Sequence, residues 1–306
     1  MMPLGKTLSA VLCVATFALA GCEQKGANEP KAVSIDQGSS AQRYPAMLEH
    51  ENKFIRDSEA RGKEKIAKIP TAADKLSDTD WAIVEQIVDA SDNAGKDGGY
   101  AATMRELRPA RSFFEEEREP IVKKVGGSAN YAAKQKGCEA DLWGPVNQGL
   151  KDGVDDAMRD RLRASNDAFI LIERHKEALG KKNVPALEEM ADDIAETSYV
   201  VNVEMPEAKQ RLEAVASGAS DARSSLNSFI ADEKKFQEDP KRKPEEKQAS
   251  DARIKKAEEQ LKALEAQEQA TKENLKDLEQ RAKDLETQYD DALKKLKDAI
   301  AAKKPK

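Results

Sequence analysis

Aromatic side chains are scarce in this chain of 306 residues, in which Phe, Trp and Tyr together make up only 5%. Glycine and proline are also few, with 16 and 12 residues, and they cluster at discrete points. Charged residues reach 35%, a composition typical of long amphipathic helices rather than of a thick core. No two neighbouring segments alternate polar and apolar residues around a hairpin turn. The sequence therefore predicts an all-α fold: a multi-helix bundle of long antiparallel helices followed by a long coiled-coil-like helix.

An excess of positive charge is also missing, because the formal net charge is -6. A mildly acidic chain gives no reason to expect nucleic acid as a partner, and it argues against broad adhesion to anionic lipid. Of the three cysteines, Cys13 and Cys22 lie at the N-terminus, which leaves Cys138 without an intramolecular partner. We interpret Cys138 as a buried small apolar residue; an intermolecular disulfide is the alternative.

Catalytic motifs are absent as well. The two histidines, His50 and His175, lie in no His-Glu-x-x-His sequence, and the residues three positions before them are Met47 and Ile172 rather than glutamate. The chain contains no phosphate-binding glycine loop, no Gly-x-Ser-x-Gly and no haem-attachment motif. We therefore expect no catalytic residues, no metal site and no cofactor, and predict that the protein is not an enzyme.

The N-terminus carries the clearest motif. A basic residue, Lys6, precedes an apolar run over 8–19 that is too short for a permanent membrane span, as in export signals. The run ends in the sequence Leu19-Ala20-Gly21-Cys22. This sequence resembles the lipobox of bacterial lipoproteins. The resemblance implies that the signal peptidase recognises Leu19, Ala20 and Gly21, that cleavage removes 1–21, and that lipid on Cys22 anchors the protein to a membrane.

The residue after the lipidated cysteine is Glu23 rather than aspartate. By the same resemblance, this predicts a periplasm-facing anchor in the outer membrane, with the inner membrane and the cell surface as alternatives. Residues 22–42 are small and polar without helical periodicity, so we interpret them as a flexible tether.

Apolar residues recur at helical spacing over 43–238, which we interpret as a helical bundle domain. Within it, one long helix is predicted over 142–179, ended by Gly180. The next helical segment includes the β-branched run 199–203, and Pro206 marks a bend.

Two prolines around a basic run make 239–247 a predicted hinge, and a coiled-coil helix is predicted over 248–302. The seam must be covered by the protein's own helices, by a second copy or by a foreign helix, because a lone polar helix cannot leave its leucines in water. Its predicted residues are Ile254, Ala257, Leu261, Leu264, Leu275, Leu278, Ala282, Leu285, Tyr289, Ala292 and Leu296.

The chain ends in a basic tail, 303–306, with Lys306 last. A lipidated N-terminus followed by a helical rod and a terminal lysine resembles the major outer-membrane lipoproteins of enteric bacteria, whose final lysine is joined to peptidoglycan. Pro305 departs from that ending. We therefore expect a structural or partner-binding envelope lipoprotein. The alternatives are a ligand- or metal-binding bundle with a pocket under Trp143 and His175, and a wall-contacting lipoprotein attached through Lys306.

Overall fold

A computed structural model describes residues 40–113 and 140–304 of the chain. These residues form helices and no strand, so the predicted all-α fold is confirmed. None of the described helices combines the length and the apolar composition that crossing a membrane requires. The α-helices are α1 (Ser40–Ile66), α2 (Trp81–Lys96), α3 (Gly98–Phe113), α4 (Ala140–Ala164), α5 (Asp167–Arg174), α6 (Lys176–Leu179), α7 (Val184–Tyr199), α8 (Met205–Glu238) and α9 (Pro244–Lys303).

Two shorter elements complete the fold. A 3₁₀ helix (Ile69–Lys75) follows α1 and carries Pro70 at its start, where a missing N–H costs nothing. A π-helical turn (Val200–Glu204) joins α7 to α8. The β-branched run that the sequence placed in a helix forms this turn, and Pro206 lies in the first turn of α8.

The chain divides into two compact units. The described part of unit 1 covers 77–113 and 140–195, and that of unit 2 covers 40–76 and 196–304. In unit 1, α2 packs against α5 and α3, and α3 packs against α4. Its core buries the apolar stripe of α2 together with residues of α5 and α7, including Val84, Ile87, Val88, Ile172, Leu187 and Ile194.

The predicted helix over 142–179 is wrong, because the structure breaks it between α4 and α5. Asn166 sits at the break, only 1% exposed, and its side-chain oxygen accepts a hydrogen bond from the Ala168 N–H, which caps α5. A second interruption follows at His175. The apolar spacing continues through both breaks, so periodicity alone did not reveal the cap.

Within unit 1, hydrogen bonds of the Asn183 side chain join the segment before α2 to the segment before α7. Its amide nitrogen donates to the carbonyl oxygens of Ser77 at 2.6 Å and Leu179 at 2.7 Å, and its amide oxygen accepts from the Ser77 N–H at 3.2 Å. Gly180 adopts a left-handed φ of 77° beside it, which a glycine tolerates without strain. One buried amide therefore satisfies two backbone groups of Ser77 and the carbonyl that ends α6.

Candidate interaction surface

The longest helices, α8 and α9, pair antiparallel in unit 2. Lys209 meets Glu279 at 2.6 Å, Arg223 meets Glu268 at 2.8 Å, and Gln237 donates to Asp251 at 2.6 Å near the connecting turn. The protein's own helices therefore cover the seam of α9. Of the predicted seam residues, Leu261, Leu275 and Ala282 are half-buried, and the buried ones are Ile254, Ala257, Leu264, Leu278, Leu285, Tyr289, Ala292 and Leu296.

Two polar residues interrupt the middle of the seam. The Glu268 carboxylate accepts a hydrogen bond from Lys272 at 2.8 Å, and this bond, helped by the charge of Arg223, holds its pKa below the ordinary value. Thr271 is 1% exposed and donates its hydroxyl to the Gln267 carbonyl at 2.8 Å. Each of these two buried polar side chains therefore has a hydrogen-bond or ion-pair partner on α8 or α9.

Helix α1 lies along the α8–α9 pair, and its contacts fix the register. The Tyr44 hydroxyl donates to the Gly218 carbonyl at 2.7 Å, and Arg211 donates to Glu51 at 2.8 Å. A Cβ on Gly218 would approach the Tyr44 hydroxyl to 3.0 Å, so this contact favours glycine. Arg281 of α9 donates through Nε to Glu59 at 2.7 Å. Helix α1 therefore runs antiparallel to α8 and parallel to α9.

The charged contacts of α1 are partly buried. The guanidinium of Arg61 holds both carboxylate oxygens of Glu204, each at 3.0 Å, and the Glu204 side chain is only 1% exposed. Burial raises the pKa of Glu59, but hydrogen bonds from Lys63 and Arg281 outweigh it, and the net pKa is lowered. Sequence reasoning missed this network, because a glutamate inside a helical apolar run has no local signature of its distant partner.

The register shows where the three-helix arrangement ends. Because Tyr44 lies level with Gly218, the first residue of α1, Ser40, lies one helical turn further, level with about Ala222 of α8. Among the described helices of unit 2, α8 and α9 continue past that level. We call this part the arm: α8 from about Ala222, the connecting turn, and α9 up to about Lys262. At 1.5 Å per residue the arm extends about 24 Å beyond the start of α1.

The arm has a small apolar core of its own. Ile230, Ile254 and Ala257 are buried, with Leu226 and Leu261 packed partly against them. Phe229 lies on α8 with 40% of its surface exposed, and it is one of the largest exposed apolar side chains of the described residues. An exposed aromatic residue on a two-helix pair is a candidate contact for a partner, although single exposed apolar residues are also common.

The tip of the arm is the turn between α8 and α9, which we call the apex: Asp239-Pro240-Lys241-Arg242-Lys243. The Asp239 carboxylate accepts the Lys241 N–H at 2.9 Å, and the Glu246 carboxylate accepts the Lys243 N–H at 2.9 Å. Arg242 stacks over the Phe236 ring at 4.2 Å. The three basic side chains are exposed at the end of the arm.

Other predicted sites fall elsewhere. Residues Leu19, Ala20, Gly21 and Cys22, which form the predicted lipobox, and Lys306, the predicted point of wall attachment, lie outside the described residues. The side chain of Trp143 also falls outside them. His50 is exposed and His175 is half-buried between α5 and α6. Within the described part of the chain, no three His, Cys, Asp or Glu residues cluster in a way that could hold a metal ion.

Comparison of the chain with protein-family models, with curated proteins and with solved structures returned no match.

Proposed function

We propose that this protein is a lipid-anchored envelope lipoprotein with a structural or partner-binding role, in which the arm serves as a spacer. The proposal assigns the chain no catalytic role. It places lipid on Cys22 and the anchor in the outer membrane, facing the periplasm. The sequence Leu19-Ala20-Gly21-Cys22, directly after an apolar run, supports the anchor, and Glu23 supports the choice of membrane.

One geometric observation carries the spacer role: the chain enters α1 at the base of the arm. Ser40 lies level with about Ala222, and the arm continues past it towards the apex. The segment that links Cys22 to α1 and the arm therefore leave the three-helix part of unit 2 at the same end. A rigid pair of helices beside the anchor would hold that part at a set distance from the bilayer.

The anchor is tested by growing cells with an alkyne-labelled fatty acid and isolating the protein. The natural chain should carry the label and fractionate with the outer membrane. A Cys22→Ala variant should lose the label and leave the membrane fraction, because the acyl chains that would hold it there can no longer be attached. Cys138→Ala is the matched control and should keep both properties. A Cys22→Ala form that matures and stays in the same membrane would refute the proposal.

The partner-binding role rests on the exposed Phe229 of the arm. Replacing Phe229 by a photo-crosslinking phenylalanine analogue in intact cells should capture a protein partner or a second copy of the chain. The same analogue at Ile170, which is also exposed but belongs to unit 1, is the control. Equal crosslinking at both positions, or none at Phe229, would remove the arm as the interaction surface.

A further inference from the structure

We infer that the apex binds the anionic phospholipid headgroups of the same bilayer that holds the lipid on Cys22. The inference rests on the proposed function, since it needs the lipid anchor. It adds a second contact with the membrane, made by Lys241, Arg242 and Lys243. The ligand class is a bilayer surface rich in anionic headgroups.

The apex is within reach of the bilayer. Seventeen residues, positions 23 to 39, separate Cys22 from α1, and a random-coil polypeptide of that length spans about 23 Å on average. The arm extends about 24 Å past the start of α1, on the side from which the chain arrives. The anchor point and the apex therefore lie at similar distances from the base of the arm. When the lipid is in the bilayer, the apex is at the level of the headgroups.

The apex also differs from the rest of the chain in its charge. The chain as a whole is acidic, with a net charge of -6, so most of its surface is repelled by an anionic bilayer. The apex carries three consecutive basic residues and one acidic residue, Asp239, and Glu238, Glu245 and Glu246 lie next to it, so the positive charge is confined to the tip itself. Arg242 forms an ion pair with Asp239, with Nε and Oδ2 3.5 Å apart. No ion pair in the described part of the chain involves Lys241 or Lys243. Their exposed ammonium groups are thus available to phosphate oxygens.

The backbone of the apex is held in place by prolines and by hydrogen bonds. Pro240 and Pro244 restrict the backbone on both sides of the basic run, and the Asp239 and Glu246 carboxylates fix its N–H groups. Across the arm, Arg253 holds both carboxylate oxygens of Glu233, at 2.9 and 2.8 Å. The basic residues are therefore held at the end of a stiff support, so little conformational freedom is lost when they meet a surface.

The test uses the lipidated protein reconstituted into vesicles of neutral phosphatidylcholine, or of the same lipid with about 30% phosphatidylglycerol. In a Cys138→Ser background, a donor dye is placed at the apex through Glu238→Cys, or near the far end of α9 through Asp298→Cys. Both positions are exposed, and the two substitutions remove the same charge. Acceptor dye on the lipid headgroups reports proximity by energy transfer.

Transfer from position 238 should be high in the anionic vesicles, lower in the neutral ones, and reduced by 0.5 M salt, which shortens the screening length to about 4 Å. Transfer from position 298 should be low throughout, because about 80 Å of helix separates it from the apex. Triple reversal of Lys241, Arg242 and Lys243 to glutamate should lower association of the apex with the anionic surface by about tenfold or more.

The matched control reverses Lys283, Lys294 and Lys295, three exposed lysines of α9, and changes the net charge equally. It should leave transfer from position 238 unchanged. Equal transfer in neutral and anionic vesicles, or an equal loss in both triple variants, would overturn the inference. The lipid-composition and salt series use the natural apex, so they decide the question even if a triple variant fails to fold. The mass of the purified protein separates the two proposals: without lipid on Cys22 the proposed function fails, whereas with lipid and no transfer only the apex contact fails.

Discussion

The arm and the three-helix part of unit 2 are built from the same two helices, yet they are held together differently. Where α1 lies along α8 and α9, the interior contains fully buried residues such as Leu278, Leu285 and Leu212 and the Arg61–Glu204 pair, whose carboxylate is buried. In the arm, the buried residues are Ile230, Ile254, Ala257 and Ser250. Helix α1 thus turns a partly solvent-exposed pair of helices into a buried core. This difference predicts where substitutions should lower the free energy of unfolding most.

The largest difference is expected for matched arginine substitutions. Arg61→Ala removes the guanidinium that holds the buried Glu204 carboxylate and should lower the free energy of unfolding by about 3 kcal/mol. Arg253→Ala removes a similar two-oxygen pair with Glu233 in the arm, where the Arg253 side chain is 47% exposed, and should lower the free energy of unfolding far less, because water screens an exposed pair. Urea unfolding of both variants measures the two costs. Similar costs would break the comparison.

Leucine truncation should rank next. Leu285 is fully buried against α1, beside Gly62, so Leu285→Ala should cost about 3 kcal/mol. Leu261 in the arm is half-buried, so Leu261→Ala should cost about 1 kcal/mol. Thermal unfolding followed by circular dichroism provides the measurement. A larger loss for Leu261 would mean that the arm is covered in solution by another molecule.

Tyr44→Phe tests the contact nearest the boundary between the two parts. The change deletes the hydroxyl that bonds to the Gly218 carbonyl and keeps the ring, so it should cost about 1 kcal/mol. Hydrogen exchange should show faster opening of α1 close to Ser40, with the arm unaffected. Protection lost equally in the arm would argue against an independent boundary at this level.

The smallest effect should be the acid response. Glu59 has a folded-state pKa below its ordinary value of 4.5, so its contribution to stability is present above about pH 4.5 and is lost as pH falls through the lower, folded value. Unfolding free energies measured from pH 7 to pH 3 should therefore fall less steeply for Glu59→Gln than for the natural chain. Parallel pH curves for the two proteins would exclude this contribution.

Much of the helical content could be predicted from the sequence, because apolar spacing reports helices directly. The same spacing predicted the seam residues of α9, most of which are buried. It could not show that α1 completes the bundle, since Tyr44 and Gly218 or Arg61 and Glu204 are far apart in sequence. Nor could it show the break at Asn166, where a single cap outweighs continuous periodicity. The lipobox and Lys306 stay predictions.

Unit 2 is assembled from two stretches of chain that flank unit 1, and this order has a kinetic consequence. Bonds within the arm join residues 14 to 20 positions apart, whereas those of α1 bridge 143 to 222 positions. Because closing long loops is slow, the arm should form early and α1 should dock late. Helix α1 is therefore synthesised before α9 but docks only after α9 has been made. A chain truncated within α9 would leave α1 without the surface against which it packs.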